Sequence, residues 1–228
     1  MSDNANTRRT RVFAAIRGQL GAGAGAPARQ AAVKARLDGQ VRHLIPARVN
    51  TDADRLRKLF IGQLRLGFAT VIEVGGDEAV PAAVAEFLRG ANLPLDIRTG
   101  NDSWTQGLAW AGEPALSLKT GRAEPSDEVG VVHAVAGVAE TGTLVCASGP
   151  DNPVTNTFLP ETCIVLLKAA DLVGPYEDAF DRIRDRLGRG EMPRTLNLVS
   201  GPSRTADVGG RLVTGAHGPR RLCVMIIG

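Results

Sequence analysis

The sequence has few aromatic residues, no long apolar run and no basic stretch interleaved with aromatics. Phe, Trp and Tyr make up 4% of the 228 residues, whereas nucleic-acid modules usually combine a basic surface with stacking aromatics. No run of about eighteen apolar residues is present, so a membrane-spanning helix is excluded. The basic N-terminal segment is not followed by the apolar core of a secretory signal. We therefore expect a cytoplasmic protein without a nucleic-acid partner.

Cysteine is also scarce, and its placement predicts a structural role. Cys146, Cys163 and Cys223 each lie within an apolar segment, and no two of them form a C-x-x-C pair. We expect buried, reduced thiols and no iron–sulfur cluster held by this chain alone. His43 and His133 stand beside apolar residues and are interpreted as structural. Because no histidine has a second ligand at metal-binding spacing, the sequence predicts no metal site.

The composition is that of a folded domain with a short extension. Hydrophobic residues make up 43% of the chain and charged residues 22%, with a formal net charge of +3, as in ordinary globular proteins. Residues 7–20 and 28–38 have helical patterns, and the Gly/Ala-rich segment GAGAGAPA between them predicts a tether. The simplest division is a helical arm and linker over residues 1–50, followed by one α/β domain over residues 51–228.

Within the second region, short apolar strands alternate with helices. Thr51 or Asp52 can cap a first helix, and DEAVPAAVAEFLRGA and PYEDAFDRIRDRLGRG predict two more, the last ending at Gly188. Strands are predicted at FATVIEV, PLDIRT, ETCIVLLKA, RTLNLVSG and RRLCVMIIG, with two short strands or one bent strand in VGVVHAVAGVAETGTLVCAS. The unbroken apolar run ETCIVLLKA is typical of a buried parallel strand. This order predicts an open, mostly parallel sheet flanked by helices, in which ligands bind beyond the carboxyl ends of the strands.

The first polar segment that could carry chemistry is GVAETGT. Its glycines let the backbone approach a ligand, Thr141 and Thr143 add hydroxyls, and turn N–H groups around Gly142 can face an anion. Glu140 is the one carboxylate of the segment and could act as a base or a nucleophile. The alternative is that Glu140 accepts backbone hydrogen bonds in a tight turn. Neither a phosphate-loop lysine nor G-x-G-x-x-G spacing is present, so no nucleotide site is predicted.

The second polar segment is GPSRTAD, which follows the predicted strand TLNLVS. Gly201 begins a turn, and Ser203 and Thr205 can cap or bind. The planar fork of Arg204 suits a carboxylate or phosphate. Asp207 could orient Arg204 or cap a short helix. Because Ser, Thr and Asp are ordinary turn residues, a purely structural loop is the alternative.

The third polar segment, GAHGPRR, precedes the last strand. Glycines on both sides place His217 on a sharp, exposed turn, where it could act as an acid/base or donate to an anion. The commoner case is a turn histidine that satisfies a neighbouring carbonyl. If the sheet is parallel, the first two segments open on the same edge and bring Glu140, Ser203 and Arg204 together, with His217 as a further candidate. Such a pocket would favour a small anionic acid or its thioester.

Four segments in this order and spacing, AETGTLV, FLPETCIVLL, GPSRTAD and GAHGPRRL, resemble the lactate utilization protein C family of LUD-domain proteins. The resemblance covers roughly residues 50–228. It implies a fold similar to the sugar-phosphate isomerase and coenzyme A transferase superfamily. It also implies a place in a three-protein cytoplasmic system that oxidises L-lactate to pyruvate, in which the other two members resemble iron–sulfur proteins. Family members often have histidine at the position of Cys163, so an imidazole role there is absent.

The motif positions of this resemblance include most of the residues singled out above, though not Thr143 or Thr205, and add Gly218 and Arg220. The predicted catalytic residues are Glu140 and His217. The predicted substrate- or anion-binding residues are Thr141, Gly142, Thr143, Gly201, Ser203, Arg204, Thr205, Asp207, Gly218 and Arg220.

The leading hypothesis is a non-redox subunit of a lactate-oxidising complex that supplies a small-anion site and a docking surface. No cofactor is expected on this chain, the iron–sulfur clusters belong to partner proteins, and the ligand is a small carboxylate or other anionic metabolite. One alternative is a free-standing acyl or coenzyme A transferase with Glu140 as its nucleophile. Another is a metabolite-binding module without chemistry. The sequence leaves open whether this chain itself catalyses a reaction.

Overall fold

The computed structural model describes residues 2–20, 26–39, 42, 44–188, 190–208 and 211–228. The chain forms two units, Met1–Leu44 and Ile45–Gly228. The first unit contains helices α1 (Ser2–Leu20) and α2 (Pro27–Gly39), which include both segments with a predicted helical pattern. Their large apolar side chains, such as Val12 and Leu37, are exposed. His43 lies outside the described residues, so its structural role stays a prediction.

The second unit alternates strands with helices. Its helices are α3 (Ala53–Leu66), α4 (Val80–Gly90), α5 (Ser103–Gly107), α6 (Thr155–Phe158) and α7 (Tyr176–Leu187). Its strands are β1 (Thr70–Val74), β2 (Asp96–Thr99), β3 (Ser117–Thr120), β4 (Val129–His133), β5 (Ala136–Val138), β6 (Thr143–Ala147), β7 (Thr162–Lys168), β8 (Leu172–Val173), β9 (Leu196–Val199), β10 (Arg204–Val208), β11 (Arg211–Thr214) and β12 (Arg221–Ile227). Short 3-10 helices lie at Ala47–Val49, Asp77–Ala79, Trp110–Gly112 and Ala169–Asp171.

Six strands form an open sheet in the order β1-β12-β7-β4-β2-β3. Every pairing within it is parallel. The α/β class with a mostly parallel sheet, expected from the sequence, is therefore confirmed. β7 lies between β12 and β4, and its apolar run is buried from Thr162 to Leu167. This burial is what its unbroken apolar composition predicts.

Four further strands form a smaller sheet in the order β8-β5-β6-β9. β6 runs antiparallel to β5 and β9, whereas β8 is parallel to β5. Residues 129–148 thus form three strands, β4 to β6, where the sequence predicts two short strands or one bent strand. β10 and β11 form a separate antiparallel hairpin. The loop predicted over residues 201–207 therefore ends at Ser203, because the following residues pair as a strand.

The two faces of the six-stranded sheet are covered by different layers. One core cluster joins α3 and the smaller sheet to the first face and includes Phe60, Leu64, Leu144, Val165 and Val224. A second cluster joins α4 to the opposite face and includes Val84, Leu88, Ile164 and Met225. Helix α7 covers the smaller sheet through Ala179 and Ile183. Each fully buried aliphatic or aromatic side chain contributes roughly 1.5–3 kcal/mol, so these layers hold the strand ends in fixed positions.

The ends of two helices follow from their sequence. Asp52 caps α3, since its Oδ1 accepts the Arg55 N–H at 2.9 Å, which decides between Thr51 and Asp52. Gly188 follows α7 with a φ of 97°, a left-handed conformation that favours glycine. Over the described ranges, no helix is both long and apolar enough to span a membrane.

The three cysteines are buried and unpaired, as predicted. Burial raises the pKa of the Cys146 and Cys223 thiols to about 12, and it raises the pKa of Cys163 well above its ordinary value. These thiols therefore stay protonated at neutral pH. The deprotonated thiolate is the form that reacts and binds metals.

Candidate functional site

The sequence-predicted residues lie on turns and on the β10–β11 hairpin, near the amino ends of the parallel strands. Gly142 packs on the last part of α3, which precedes β1, and a Cβ on Gly142 would lie 2.7 Å from the Leu64 nitrogen. Gly67, between α3 and β1, lies so close to Gly201 that a Cβ on Gly201 would collide with the Gly67 carbonyl. The turn that contains His217 directly precedes β12. The three predicted segments therefore share one end of the domain.

Four hydroxyl groups meet where the turn after β5 faces the end of β9. Thr141 Oγ1 and Thr143 Oγ1 lie 2.6 Å apart, and each is 2.8 Å from Tyr176 Oη. Thr143 Oγ1 is also 2.7 Å from Ser200 Oγ. If each hydroxyl donates its one proton, all of these contacts become hydrogen bonds. The cluster is therefore internally satisfied, and it stabilises the turn instead of offering free donors to an anion.

Glu140 precedes this hydroxyl cluster and is largely buried. Its side chain is 19% exposed, and Oε1 lies 3.8 Å from the guanidinium of Arg48. The Glu140 N–H donates to the Gly174 carbonyl at 3.1 Å, and the Glu140 carbonyl accepts from Arg48 at 3.4 Å. The guanidinium beside this carboxylate thus belongs to Arg48, a residue that the sequence did not single out.

Ser203 and His217 are brought together at the base of the β10–β11 hairpin. Ser203 Oγ accepts from the His217 backbone N–H at 3.1 Å, and the Ser203 carbonyl accepts from Gly215 at 2.9 Å. His217 is exposed, as its flanking glycines predict. It lines a groove of about 330 Å³ together with Phe158, Glu161, Thr214, Gly218 and Arg220. Within this groove Arg220 pairs with Glu161 at 3.4 Å.

Arg204 lies on the surface of the same hairpin. Its guanidinium carbon is 3.6 Å from the ring centroid of Phe68, and Phe68 is itself 66% exposed. Such an exposed cation–π contact is worth about 0.5–1 kcal/mol. Thr205 pairs with Val213 in the hairpin. Asp207 lies on β10, but its side chain is outside the described part of the structure, so its role stays a prediction.

The predicted residues share one end of the domain, but their contacts do not join them into one pocket. The expected approach of the turn after β5 to the end of β9 is present, through Thr143 and Ser200. Among the described side chains, however, no hydrogen bond or ion pair links Glu140 to Arg204 or His217. These segments also lie at the amino ends of the parallel strands, whereas open α/β sheets bind ligands at the carboxyl ends.

A cleft lies at the other end of the sheet, beyond the carboxyl ends of β2, β4 and β7. Asp102 follows β2, His133 is the last residue of β4, and Lys168 is the last residue of β7. Because β4 pairs with both β2 and β7, these three polar residues end adjacent strands. This is the place where the topology of an open parallel sheet favours a ligand.

Two further segments enclose the cleft. The loop after β6 packs on the loop after β2, where the Asn101 N–H donates to the Asp151 carbonyl at 2.7 Å. Gly100 permits this approach, since a Cβ there would collide with the same carbonyl. The end of α7 forms another wall through Arg186, and the cleft volume is about 330 Å³. A more open groove of about 630 Å³ adjoins it at His133 and Arg186, and ligand sites typically measure roughly 300–1,000 Å³.

Asp102 and His133 form an acid–imidazole pair in this cleft. His133 Nδ1 lies 3.5 Å from Asp102 Oδ1, and the two side chains are 14% and 16% exposed. Asp102 also caps α5 by accepting the Thr105 N–H at 3.2 Å. Burial opposes ionisation of Asp102, but hydrogen bonds from His133 and Thr105 outweigh it and lower the pKa from 3.8 to about 2. The carboxylate is therefore ionised at neutral pH and only accepts hydrogen bonds.

Trp104 holds the imidazole and a cation beside the cleft. The Trp104 and His133 rings lie 4.5 Å apart at a tilt of 60°, and Trp104 Nε1 donates to Asp77 at 2.8 Å. Lys168 Nζ lies 4.4 Å from the Trp104 ring centroid, within cation–π distance. His133 Nε2 is buried and has no hydrogen-bond partner among the described residues. The ring is thus fixed by Asp102 and Trp104, while one of its nitrogens is left unsatisfied.

The interpretation of His133 as structural overlooks this cleft. The available signal is that His133 and Lys168 end the apolar runs of two strands, and that Asp102 lies three residues after a third strand. The apolar neighbours of His133 in the sequence reflect the strand that carries it, not the surroundings of its ring. Strand order is the missing information, because it decides which strand ends are adjacent.

The LUD domain model matches residues 65–227 of this chain. The chain belongs to the LUD domain family. The resemblance drawn from the four sequence segments is thereby confirmed. The LUD match begins within α3 and includes every strand, so the hydroxyl cluster and the carboxyl-end cleft both lie within the family's domain.

Several relatives align with part of this LUD chain. An uncharacterized protein of Neisseria meningitidis serogroup B is 35% identical over 155 residues, 64% of this chain and 64% of that protein. Lactate utilization protein C of Shouchella clausii is 33% identical over 100 residues, 44% of each chain. Lactate utilization protein C of Bacillus subtilis is 32% identical over 100 residues, 43% of this chain and 42% of that protein. The alignments thus span between 42% and 64% of these relatives' own lengths.

A solved structure has the same fold. The crystal structure of a DUF162 family protein from Deinococcus radiodurans superposes with a TM-score of 0.58, covering 78% of this chain and 99% of that chain. The two sequences are 16% identical, so the likeness shows the fold alone.

Proposed function

We propose that this chain is a component of a lactate utilization system and binds a small carboxylate in the cleft at the carboxyl ends of β2, β4 and β7. The observation that carries the proposal is the Asp102–His133 pair in an open cleft that Arg186 also lines. A guanidinium forms charge-assisted hydrogen bonds with a carboxylate, and an imidazole can form a hydrogen bond with a hydroxyl or carbonyl beside that carboxylate. The relatives named lactate utilization protein C support lactate as the substrate of the system.

One arginine of the cleft wall supports an anionic ligand, beside the carboxylates of Asp102 and Asp151 that also line the cleft. Arg182 is already paired with Asp171 at 2.6 Å. Arg186 lines both the cleft and the adjoining groove, and no described carboxylate lies within ion-pair distance of it. Lys168 adds a second positive charge beside Trp104. Arg186 is therefore the group that we assign to the ligand carboxylate, through a charge-assisted hydrogen bond.

The redox step of the system is assigned to partner proteins. All three cysteines of this chain are buried, and burial disfavours the thiolate form that binds iron. We propose that the electrons of lactate oxidation pass through iron–sulfur partners in the cytoplasm, while this chain holds the carboxylate.

Gene deletion in the native host tests the role in lactate utilization. We expect the deletion strain to lose growth on L-lactate as sole carbon source and to grow normally on glucose, with recovery when the wild-type gene is restored. Normal growth of the deletion strain on L-lactate would contradict the proposal.

Affinity purification from lactate-grown cells, followed by mass spectrometry and iron analysis, tests the partners. We expect iron and Cys-rich proteins to be recovered with the tagged chain. Recovery of the chain alone and free of iron would argue against the subunit role.

The second candidate function is acyl or coenzyme A transfer through Glu140. The observation that favours it is the rigid turn that holds this carboxylate next to Arg48, 3.8 Å away. A glutamyl thioester with coenzyme A, detected by mass spectrometry in the wild type and absent from Glu140→Gln, would support this function. Absence of any adduct from the wild-type protein incubated with acyl-coenzyme A would count against it.

A further inference from the structure

The Nε2 atom of His133 is an unsatisfied polar group at the cleft. It is buried, and within the described part of the chain it has no hydrogen-bond partner, although roughly 90% or more of buried polar groups in proteins are paired. An unpaired buried nitrogen destabilises the free protein. Because His133 lines the cleft, a ligand bound there can supply the missing partner.

The Asp102 carboxylate decides which nitrogen of the imidazole carries the proton. Asp102 is ionised at neutral pH, since its pKa is held at about 2, and a carboxylate only accepts hydrogen bonds. Nδ1 of His133, 3.5 Å from Oδ1, therefore keeps its proton. In the neutral ring Nε2 then has a lone pair and no proton. In this neutral form the unsatisfied atom is an acceptor, so the partner it lacks is a donor.

Small carboxylates differ in whether they bring such a donor. A 2-hydroxy acid has a hydroxyl next to its carboxylate, and that hydroxyl donates one hydrogen bond. A 2-oxo acid has a second acceptor at the same position, and an unsubstituted acid has no polar group there. A site built to hydrogen-bond a hydroxyl rejects an analogue that lacks it, because the polar group of the site is then left unpaired.

We propose that His133 is a specificity-determining residue that selects small 2-hydroxy carboxylates over their 2-oxo and unsubstituted counterparts. Its Nε2 accepts a hydrogen bond from the ligand hydroxyl, while Arg186 pairs with the ligand carboxylate. Asp102 and Trp104 are positioning residues, since they hold the Nδ1 proton and the ring. The proposal rests on the proposed function, because it takes a small carboxylate as the ligand of this cleft. Nε2 is closed to solvent in the free protein, so the proposed contact requires a side-chain movement in the cleft wall.

Calorimetric titration of the purified full chain with L-lactate, pyruvate and propionate tests this selectivity. We expect L-lactate to bind about 10-fold more tightly than either of the others, the discrimination typical of one hydrogen bond to an otherwise unpaired group. Equal affinities for the three acids, or no detectable binding of L-lactate, would overturn the proposal.

Two variants separate the hydroxyl contact from the carboxylate contact. His133→Phe keeps a flat ring beside Trp104 and removes both nitrogens, so it should bind L-lactate only as tightly as propionate. Arg186→Gln should weaken the binding of all three acids alike. The matched control Arg65→Gln, at an exposed arginine on α3, should leave the three affinities unchanged. A folded His133→Phe protein that still prefers L-lactate would overturn the proposal. The comparison of the three acids on the wild-type protein needs no variant. It therefore still tests the proposal if a variant fails to fold.

Failure of this proposal and failure of the proposed function give different results. If L-lactate binds no better than propionate while the deletion strain cannot grow on L-lactate, the selectivity is wrong and the proposed function stands. If L-lactate binds selectively while the deletion strain grows normally on it, the proposed function is wrong and the role of His133 stands.

Discussion

The ionised side chain of Asp102 should stabilise the folded protein by about 2 kcal/mol at pH 7. This magnitude follows because its pKa is lowered from 3.8 to about 2, and a tenfold change in a proton affinity is worth about 1.4 kcal/mol. The side chain is 16% exposed, so solvent screening removes little of this energy. Because the pKa is depressed in the folded state, the contribution is present above the unfolded pKa and is lost as the pH falls towards 2.

Asp102→Asn removes the charge and keeps the size of the side chain. Urea unfolding should show a loss of about 2 kcal/mol at pH 7 and about 1 kcal/mol at pH 3, where part of the linkage has already disappeared. The control Asp185→Asn, an exposed acid on α7, should change stability by less than about 0.5 kcal/mol. An Asp102→Asn protein as stable as the wild type at pH 7, or an equal loss at both pH values, would refute the assignment of a charge-stabilised pair.

Three other variants test the packing of the domain. Gly142→Ala should lower the free energy of unfolding by about 1–3 kcal/mol, because φ is 65° and the new Cβ would lie 2.7 Å from the Leu64 nitrogen. An unchanged melting temperature in thermal unfolding would contradict this. Tyr176→Phe removes a hydroxyl that contacts two threonines and should cost about 1–2 kcal/mol in urea unfolding, whereas no loss would show that the hydroxyl cluster does not stabilise the turn. Leu166→Ala, at a fully buried position of β7, should cost about 2–5 kcal/mol by the same assay, and a loss below about 1 kcal/mol would contradict its burial.

The elements with a strong local pattern are predictable from the sequence. The run ETCIVLLKA predicts β7 because a strand buried on both faces has no polar alternation. The amphipathic pattern before Gly188 predicts α7, and a capping residue at Thr51 or Asp52 predicts the start of α3. Each of these features depends on residues within one strand or one helical turn, so the sequence contains the information locally.

The smaller sheet and the cleft depend on contacts between distant parts of the chain. β6 pairs with β9, which is separated from it by α6, β7, β8 and α7, and no local pattern selects this partner. Asp102, His133 and Lys168 are adjacent because β4 lies between β2 and β7 in the sheet. The glycine-rich segments attract attention in the sequence, but Gly142 and Gly201 serve close backbone packing at the other end of the domain.

A crystal structure of the protein with L-lactate is the most direct test of the carboxyl-end cleft as the ligand site. We predict ligand density in the cleft, with the carboxylate against Arg186 and the hydroxyl against Nε2 of His133. Ligand density at the Glu140 turn, or an empty cleft in crystals grown at a lactate concentration that saturates the protein in solution, would contradict this assignment.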